Sequence, residues 1–353
     1  MDPLLRIRGL RVGFKRREKH IYPVNGFNLD IYKGETIAIV GESGCGKSLT
    51  ALSIMGLIGE NSPVANSIVN GQIILHTDDH NELELTSMSP KEYERIRGSL
   101  ISMIFQEPMT ALNPLLTVGE QIIEVLTKHK GLSRREAKKQ ALASLEAIGI
   151  PDAANRMKAY PFQLSGGQKQ RVMIAIAMAC NPKLLIADEP TTALDVTIQS
   201  QILYLLKQIK QENNMSIMFI THNLGIVVQF ADRVAVMYRG IVVEYATVQQ
   251  LFTSPQHPYT RMLIGSLPKK GLRSALGDRL EAIQGTVPSP NEIVTGCPFH
   301  TRCKEAEERC TRELPNETFI DGTHLVRCLV REEEQQVGAA QHNGQHEKLE
   351  CLL

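Results

Sequence analysis

The sequence predicts an α/β protein. Its core is a mostly parallel sheet entered through a glycine-rich loop, joined by a β-rich N-terminal part, a helical insertion and a small cysteine-containing C-terminal extension. Three observations carry this. The apolar run at residues 37–40 reads as a buried strand and passes through GESGCGKS, residues 41–48, into a helix with apolar periodicity. A second apolar strand, within KLLIADEPTTALD (residues 183–195), ends on the adjacent carboxylates Asp188 and Glu189. Strand-like and helix-like segments alternate, which implies parallel strands with helices on both faces.

Bulk composition narrows the class. At 353 residues the chain has room for one large domain and a smaller one. A formal net charge of +1 shows no basic excess of the kind that marks nucleic-acid binders, so no nucleic-acid partner is expected. No apolar run approaches the ~18 residues of a membrane span. The opening MDPLLRIRGLRVGF lacks the basic and apolar regions of a secretory signal, and the final CLL is one residue short of a prenylation box. The expectation is a cytosolic chain whose cysteines stay reduced.

The G-x-x-x-x-G-K-[ST] pattern has a physical logic. Gly41, Gly44 and Gly46 let the backbone curl around phosphates and present its N–H groups, with Ser43 and Cys45 as small residues between them and Leu49 just beyond. Lys47 is placed to reach the β- and γ-phosphates of a nucleotide, and Ser48 to ligate Mg²⁺. At the end of the second strand, where ligands of parallel sheets gather, Asp188 is expected to hold Mg²⁺. Glu189 is then placed to polarise the attacking water as general base.

Between these halves lies YPFQLSGGQKQRVMIAIAMAC, residues 160–180. Ser165 sits near the cap of a long apolar helix, Gly166 and Gly167 expose the backbone, and Gln168 follows, so the helix start is a second anion cradle. A second cradle makes sense if two subunits sandwich ATP head to tail. At these residues the chain resembles the ATP-binding cassette (ABC) ATPases, which carry LSGGQ as their signature. The resemblance implies an ATPase using ATP and Mg²⁺. It implies that Gln106, in MIFQEP, senses the γ-phosphate and Mg²⁺ and faces a membrane partner. It implies that Asp195 crosses a dimer interface and that His222, in IMFITHNL, hydrogen-bonds the γ-phosphate. Phe14 falls where the family has an adenine-stacking aromatic, with Tyr22 as its rival. No catalytic position is degenerate, so a hydrolysis-competent half-site is expected.

Along the chain, residues 1–250 are expected to form the ABC nucleotide-binding domain, with its helical part at about 107–178. Residues 251–330 form an extension, and residues 331–353 a polar tail expected to be disordered. An uninterrupted cassette with one phosphate loop argues against the DNA-repair and ribosomal ABC ATPases. QHPYTRMLIGSLP (residues 256–268) resembles the HPYT segment of oligopeptide/dipeptide importer ATPases, as do TALNPLLTVGEQI, PTTALDVTIQ and GTVPSP…GCPFHTRC. That resemblance implies a peripheral subunit on the cytoplasmic face of the cell membrane, coupled to two transmembrane permease subunits and an extracytoplasmic solute-binding protein. It also implies a heterodimer with a sibling ATPase. Nickel and other small-solute importers belong to the same group.

Cys297, Cys303, Cys310 and Cys328 follow C-x₅-C-x₆-C-x₁₇-C. This matches neither the short knuckles of structural zinc nor the ferredoxin runs, which leaves iron–sulfur and zinc both open. His300 and His324 are spare candidate ligands. The importer resemblance implies a [4Fe–4S] cluster, with Zn²⁺ as the alternative. Nothing in the sequence places these cysteines near the ATP site.

Overall fold

The computed structural model describes residues 2–333 apart from 17–18, 60–61, 63, 65, 78–80, 108–110, 193, 268–284, 290–291 and 293. All but the start of the expected polar tail lies outside the described residues.

The chain opens with the antiparallel pair β1 (Leu5–Arg16) and β2 (Lys19–Ile31), crosses to β3 (Thr36–Val40), and enters α1 (Lys47–Ile54). Strands β4 (Ser67–His76) and β5 (Glu82–Glu84) return to complete a four-stranded antiparallel sheet, ordered β2-β1-β4-β5. Helix α2 (Pro90–Ile96) leads into β6 (Ile101–Ile104). The insertion that follows is helical: α3 (Val118–Lys130), α4 (Arg134–Ala147), α5 (Ala153–Arg156) and α6 (Gly166–Met178). Its longer helices start where T-x-x-E, S-x-x-E and S-x-x-Q stand in the sequence. Thr117, Ser133 and Ser165 each cap an N-terminus, answered by Glu120, Glu136 and Gln168 in reciprocal capping boxes.

The core then resumes with β7 (Leu184–Asp188), α7 (Val196–Asn213), β8 (Ser216–Ile220), α8 (Leu224–Phe230), β9 (Arg233–Tyr238) and β10 (Ile241–Thr247). Every residue of β3, β7 and β8 is buried, which is why these strands read as unbroken apolar runs. Strands β9, β3, β8, β7 and β6 run parallel in that order. The large sheet continues past β9 into antiparallel strands. Beyond β10, α9 (Val248–Thr253) and α10 (Pro258–Gly265) precede a hairpin, β11 (Thr318–Asp321) and β12 (His324–Val326), and β12 pairs with β10. The eight-stranded order is β11-β12-β10-β9-β3-β8-β7-β6.

Packing follows the layers. One apolar cluster joins the N-terminal sheet to α1 and one face of the core, and a second joins the helical insertion to the other face. A third unites β9 and β10 with Tyr259, Phe299, Cys297, Cys310 and Leu329 of the extension. Glu244 of β10 is fully buried, and the extension supplies its partners: His324 Nε2 at 2.7 Å and the backbone N–H groups of Gln256 (2.7 Å) and His257 (2.8 Å).

Candidate active site

The glycine-rich loop runs from the C-terminal end of β3 into α1, and two of its glycines are sterically required. A Cβ on Gly41 would sit 2.1 Å from the Met237 carbonyl oxygen. Gly46 adopts a left-handed φ of 104°, with the Pro23 carbonyl 2.9 Å from where a Cβ would be. Lys47, only 6% exposed, donates from Nζ to the carbonyl oxygens of Gly41 (2.8 Å) and Glu42 (3.1 Å), bridging the loop from beneath. Cys45 is buried against this lysine, with Sγ 3.7 Å from Nζ, and burial pushes its thiol up despite the nearby cation. Ser43 and Gly44 form the exposed tip, while Ser48 and Leu49 are half-buried at the helix start.

Asp188 and Glu189 emerge together at the end of β7. Burial pushes the Asp188 carboxyl up; a hydrogen bond with the Ser48 side chain and the Lys47 charge oppose this, while Glu189 adds to it. Asp188 is 4% exposed, and its Oδ1 is buried with no hydrogen-bond partner. An anionic oxygen without a donor, beside a hydroxyl and a phosphate-binding loop, has the chemistry of a hard-cation ligand, so the residues present fit Mg²⁺.

Glu189 has the strained left-handed φ of 46°, which turns its side chain out of the strand direction. Three groups converge on its carboxylate. Thr192 Oγ1 donates to Oε2 at 2.9 Å, Gln106 Nε2 approaches the same oxygen at 3.3 Å, and His222 Nδ1 lies 3.2 Å from Oε1. Gln106 follows β6 and His222 follows β8, so neighbouring parallel strands deliver the cluster at their C-terminal ends. Thr192 escaped the sequence reading. Its one signal is a hydroxyl three residues beyond the carboxylate, which is hard to distinguish from ordinary turn chemistry.

The second cradle lies on the surface. Ser165 Oγ accepts from the Gln168 backbone N–H at 3.3 Å, and Ser165 and Gly166 are exposed at the start of α6. Gly167 packs close to Ile198, whose Cγ2 lies 3.0 Å from where its Cβ would be. Asp195 caps α7, accepting from the Ile198 N–H at 2.9 Å, so the signature loop and the Asp195 turn sit side by side. Phe14 is half-buried on the face of β1 that also carries buried Val12. Tyr22 lies against Gly13 and stacks beside His20 under Arg11, on the opposite face.

Cys297, Cys303, Cys310 and Cys328 line one small cavity with His257, His300 and Glu305. All four thiols are free, and Cys297, Cys310 and Cys328 are buried. Burial pushes the Cys297 thiol up to about 12 and Cys303 up to about 11, and Cys310 and Cys328 add to both. Among the described residues, no three His, Cys, Asp or Glu side chains are gathered so as to hold a single metal ion. Of the spare ligands, His300 lines the cavity, whereas His324 is committed to Glu244. The cysteine segment is not remote from the nucleotide loop: Arg302, between Cys297 and Cys303, forms a two-pronged ion pair with Glu42.

A glycine-rich loop entering a helix, a carboxylate pair at the end of a neighbouring parallel strand, a histidine 3.2 Å from the second carboxylate and an LSGGQ helix start together define an ATP-binding cassette ATPase. Residues 24–192 match the family described as "ABC transporter", and residues 243–310 match "Oligopeptide/dipeptide transporter, C-terminal region". The chain is 50% identical over 334 residues to the oligopeptide transport ATP-binding protein AppD of Bacillus subtilis, covering 95% of this chain and 98% of the relative. It is 47% identical to the dipeptide transport ATP-binding protein DppD of the same organism (94% and 96% covered). It is 44% identical to the oligopeptide transport ATP-binding protein OppD of Escherichia coli (94% and 95% covered). In structure it is similar to the ATP-binding cassette MJ0796, solved as a dimer bound to ADP and Pi, with a TM-score of 0.59 and 30% identity, covering 69% of this chain and 98% of that one. The chain belongs to the family of oligopeptide and dipeptide ABC transport ATP-binding proteins.

Proposed function

We propose that this chain is the ATP-hydrolysing subunit that energises peptide import across the cytoplasmic membrane. The observation that carries the ATPase half is the convergence of Gln106, Thr192 and His222 on Glu189 beside the buried Asp188. The peptide half rests on the matched C-terminal region and on what the relatives are named for transporting.

In this reading the loop N–H groups of residues 41–48 and Lys47 bind the ATP phosphates, with Leu49 behind the loop and Phe14 stacking on adenine. Ser48, Asp188 and Gln106 hold Mg²⁺, which when bound neutralises developing charge on the β- and γ-phosphates. Glu189 orients water and accepts its proton, Thr192 fixes the carboxylate rotamer, and His222 contacts the γ-phosphate. Ser165, Gly166, Gly167 and Gln168 of one subunit close on the nucleotide of the other, and Asp195 crosses the interface. A sibling cassette supplies the second half-site.

Among the described residues no helix is long and apolar enough to cross a membrane. In this reading the chain acts as a peripheral subunit beneath two permease subunits fed by a solute-binding protein, which the relatives' naming as transport ATP-binding proteins supports. Support for that docking comes from exposed apolar side chains: Phe105 beside Gln106, Leu115, and the stacked pair Tyr160 and Phe162 at 5.7 Å.

For the four cysteines the reading is a [4Fe–4S] cluster, with Zn²⁺ as the alternative, and it rests on the resemblance of the C-terminal region to the peptide-importer ATPases. A tetrahedral Zn²⁺ at ~2.3 Å from each sulfur needs thiols gathered within about 4 Å of one another. Here the four thiols line one small cavity, and among the described residues no three such ligands are gathered around a single point, so the choice of cluster over zinc rests on the importer resemblance. Anaerobic purification should give a coloured protein with about four irons per chain. A colourless, zinc-replete preparation refutes the cluster.

Uptake of labelled oligopeptide in cells lacking this chain tests the function. Import should be lost and should return with the wild-type chain. Undiminished peptide uptake refutes the peptide reading, and loss of nickel uptake instead moves the chain to that sibling branch.

A further inference from the structure

The extension meets the nucleotide loop at Glu42 and grips it twice. Arg302 Nη1 and Nη2 lie 2.9 and 3.1 Å from Oε2 and Oε1 of Glu42, a fork-to-fork pair, and the arginine side chain is only 5% exposed. The fully buried Tyr259, from α10, accepts the Glu42 backbone N–H at 3.0 Å. Both grips share one support. Tyr238, Tyr259 and Phe299 form an aromatic triad with ring centroids 4.7–5.3 Å apart, Tyr238 edge-on to both others, and Tyr238 Oη lies 3.3 Å from Arg302 Nη1.

Arg302 is also part of the cysteine segment. It closes a short helical turn, His300–Arg302, between Cys297 and Cys303. Within that turn the His300 N–H bonds the Cys297 carbonyl at 3.1 Å, Arg302 N–H the Phe299 carbonyl at 3.0 Å, and Cys303 N–H the His300 carbonyl at 3.3 Å. Cys297 N–H in turn bonds the Cys310 carbonyl at 2.8 Å. The position of the guanidinium thus depends on how the cysteine cavity is closed.

We propose that Arg302 is a positioning residue for the phosphate loop, and that through it the integrity of the four-cysteine module sets nucleotide affinity. A carboxylate in the loop, left unneutralised, would repel the phosphates of ATP. Arg302 removes that repulsion and holds the loop backbone in its curled form. This rests on the reading of residues 41–48 as the phosphate site.

The test measures MgATP and ADP affinity of the full chain, at a temperature where circular dichroism shows each variant folded. Arg302→Ala should weaken MgATP binding about tenfold, and Arg302→Lys, which keeps the charge without the fork, should fall between. Adding Glu42→Gln to Arg302→Ala should restore part of the loss, because it removes the uncompensated charge. Cys303→Ser should weaken binding in the wild-type background and add less than about twofold to Arg302→Ala. Unchanged affinity in folded Arg302→Ala overturns the proposal. So does an equal Cys303→Ser effect with and without Arg302. If Arg302→Ala does not fold, the Lys variant and Glu42→Gln decide alone: affinities equal to wild type in both overturn it. The wild type and Lys47→Ala serve as controls. If the wild type itself binds no MgATP, the phosphate-site reading has failed rather than this inference.

Discussion

Replacing Glu189 with glutamine leaves the shape of the site and removes the proposed base. The Glu189 carboxylate now accepts from Thr192 and faces Gln106 with one oxygen and His222 with the other. An amide can serve only one of those directions as acceptor, and in neither orientation can it take a proton from water. Positioned general bases contribute about 10²–10⁴ in rate, which is roughly 2.7–5.5 kcal/mol of barrier. Turnover should fall by that factor. ATP should still bind, because Lys47 and the loop N–H groups are untouched. Binding should even tighten, since Glu189 is one of the charges that make the buried Asp188 carboxylate costly. The assay is phosphate release at saturating MgATP, with the chain assembled with its permease partners, beside equilibrium binding of MgATP. Turnover within about tenfold of wild type, with nucleotide bound, would refute Glu189 as the base.

Three further outcomes follow from the same geometry. Thr192→Val removes the hydroxyl that fixes Glu189 and should lower turnover about 3- to 30-fold with little change in MgATP affinity, measured by the same two assays. Asp188→Asn should abolish Mg²⁺-dependent hydrolysis yet raise the melting temperature of the nucleotide-free chain, by roughly 2–4 °C per kcal/mol gained from neutralising an unpartnered buried oxygen. A fall in melting temperature would contradict that account. Gly166→Asp places an anion on an exposed helix start whose nearest neighbour, Leu194, is 3.9 Å from where the Cβ would be. Folding and ATP binding should survive, while turnover drops at least about a hundredfold, because the cradle then repels the γ-phosphate.

The parts of the site legible in the sequence are those whose chemistry is contiguous. The loop at 41–48, the carboxylates at 188–189 and the LSGGQ helix start each carry their spacing within one turn of chain, and the parallel core follows from the apolar runs beside them. Gln106 and His222 are singled out by the family resemblance, since a lone Gln or His after a short buried strand is otherwise an ordinary loop residue. What escaped depends on packing between distant segments. Arg302 meets Glu42 across 260 residues, held there by an aromatic triad that no local period announces. The β11–β12 hairpin hides for a related reason. TFID and HLV are short, half-polar segments whose strand character comes from the open edge of β10, where Glu244 faces Val326 and Tyr245 faces Leu325.

That hairpin bears on where the chain can be cut. Strand β10 would end the core sheet, and the pairing of β12 covers its free backbone groups. A form shortened after residue 250 would present that edge to solvent, beside a carboxylate, Glu244, stripped of every partner the extension gives it. Such edges recruit strands from neighbouring molecules. A cut at that point therefore exposes a sheet edge and a buried charge together, and the truncated form should associate or precipitate where the full chain stays dispersed.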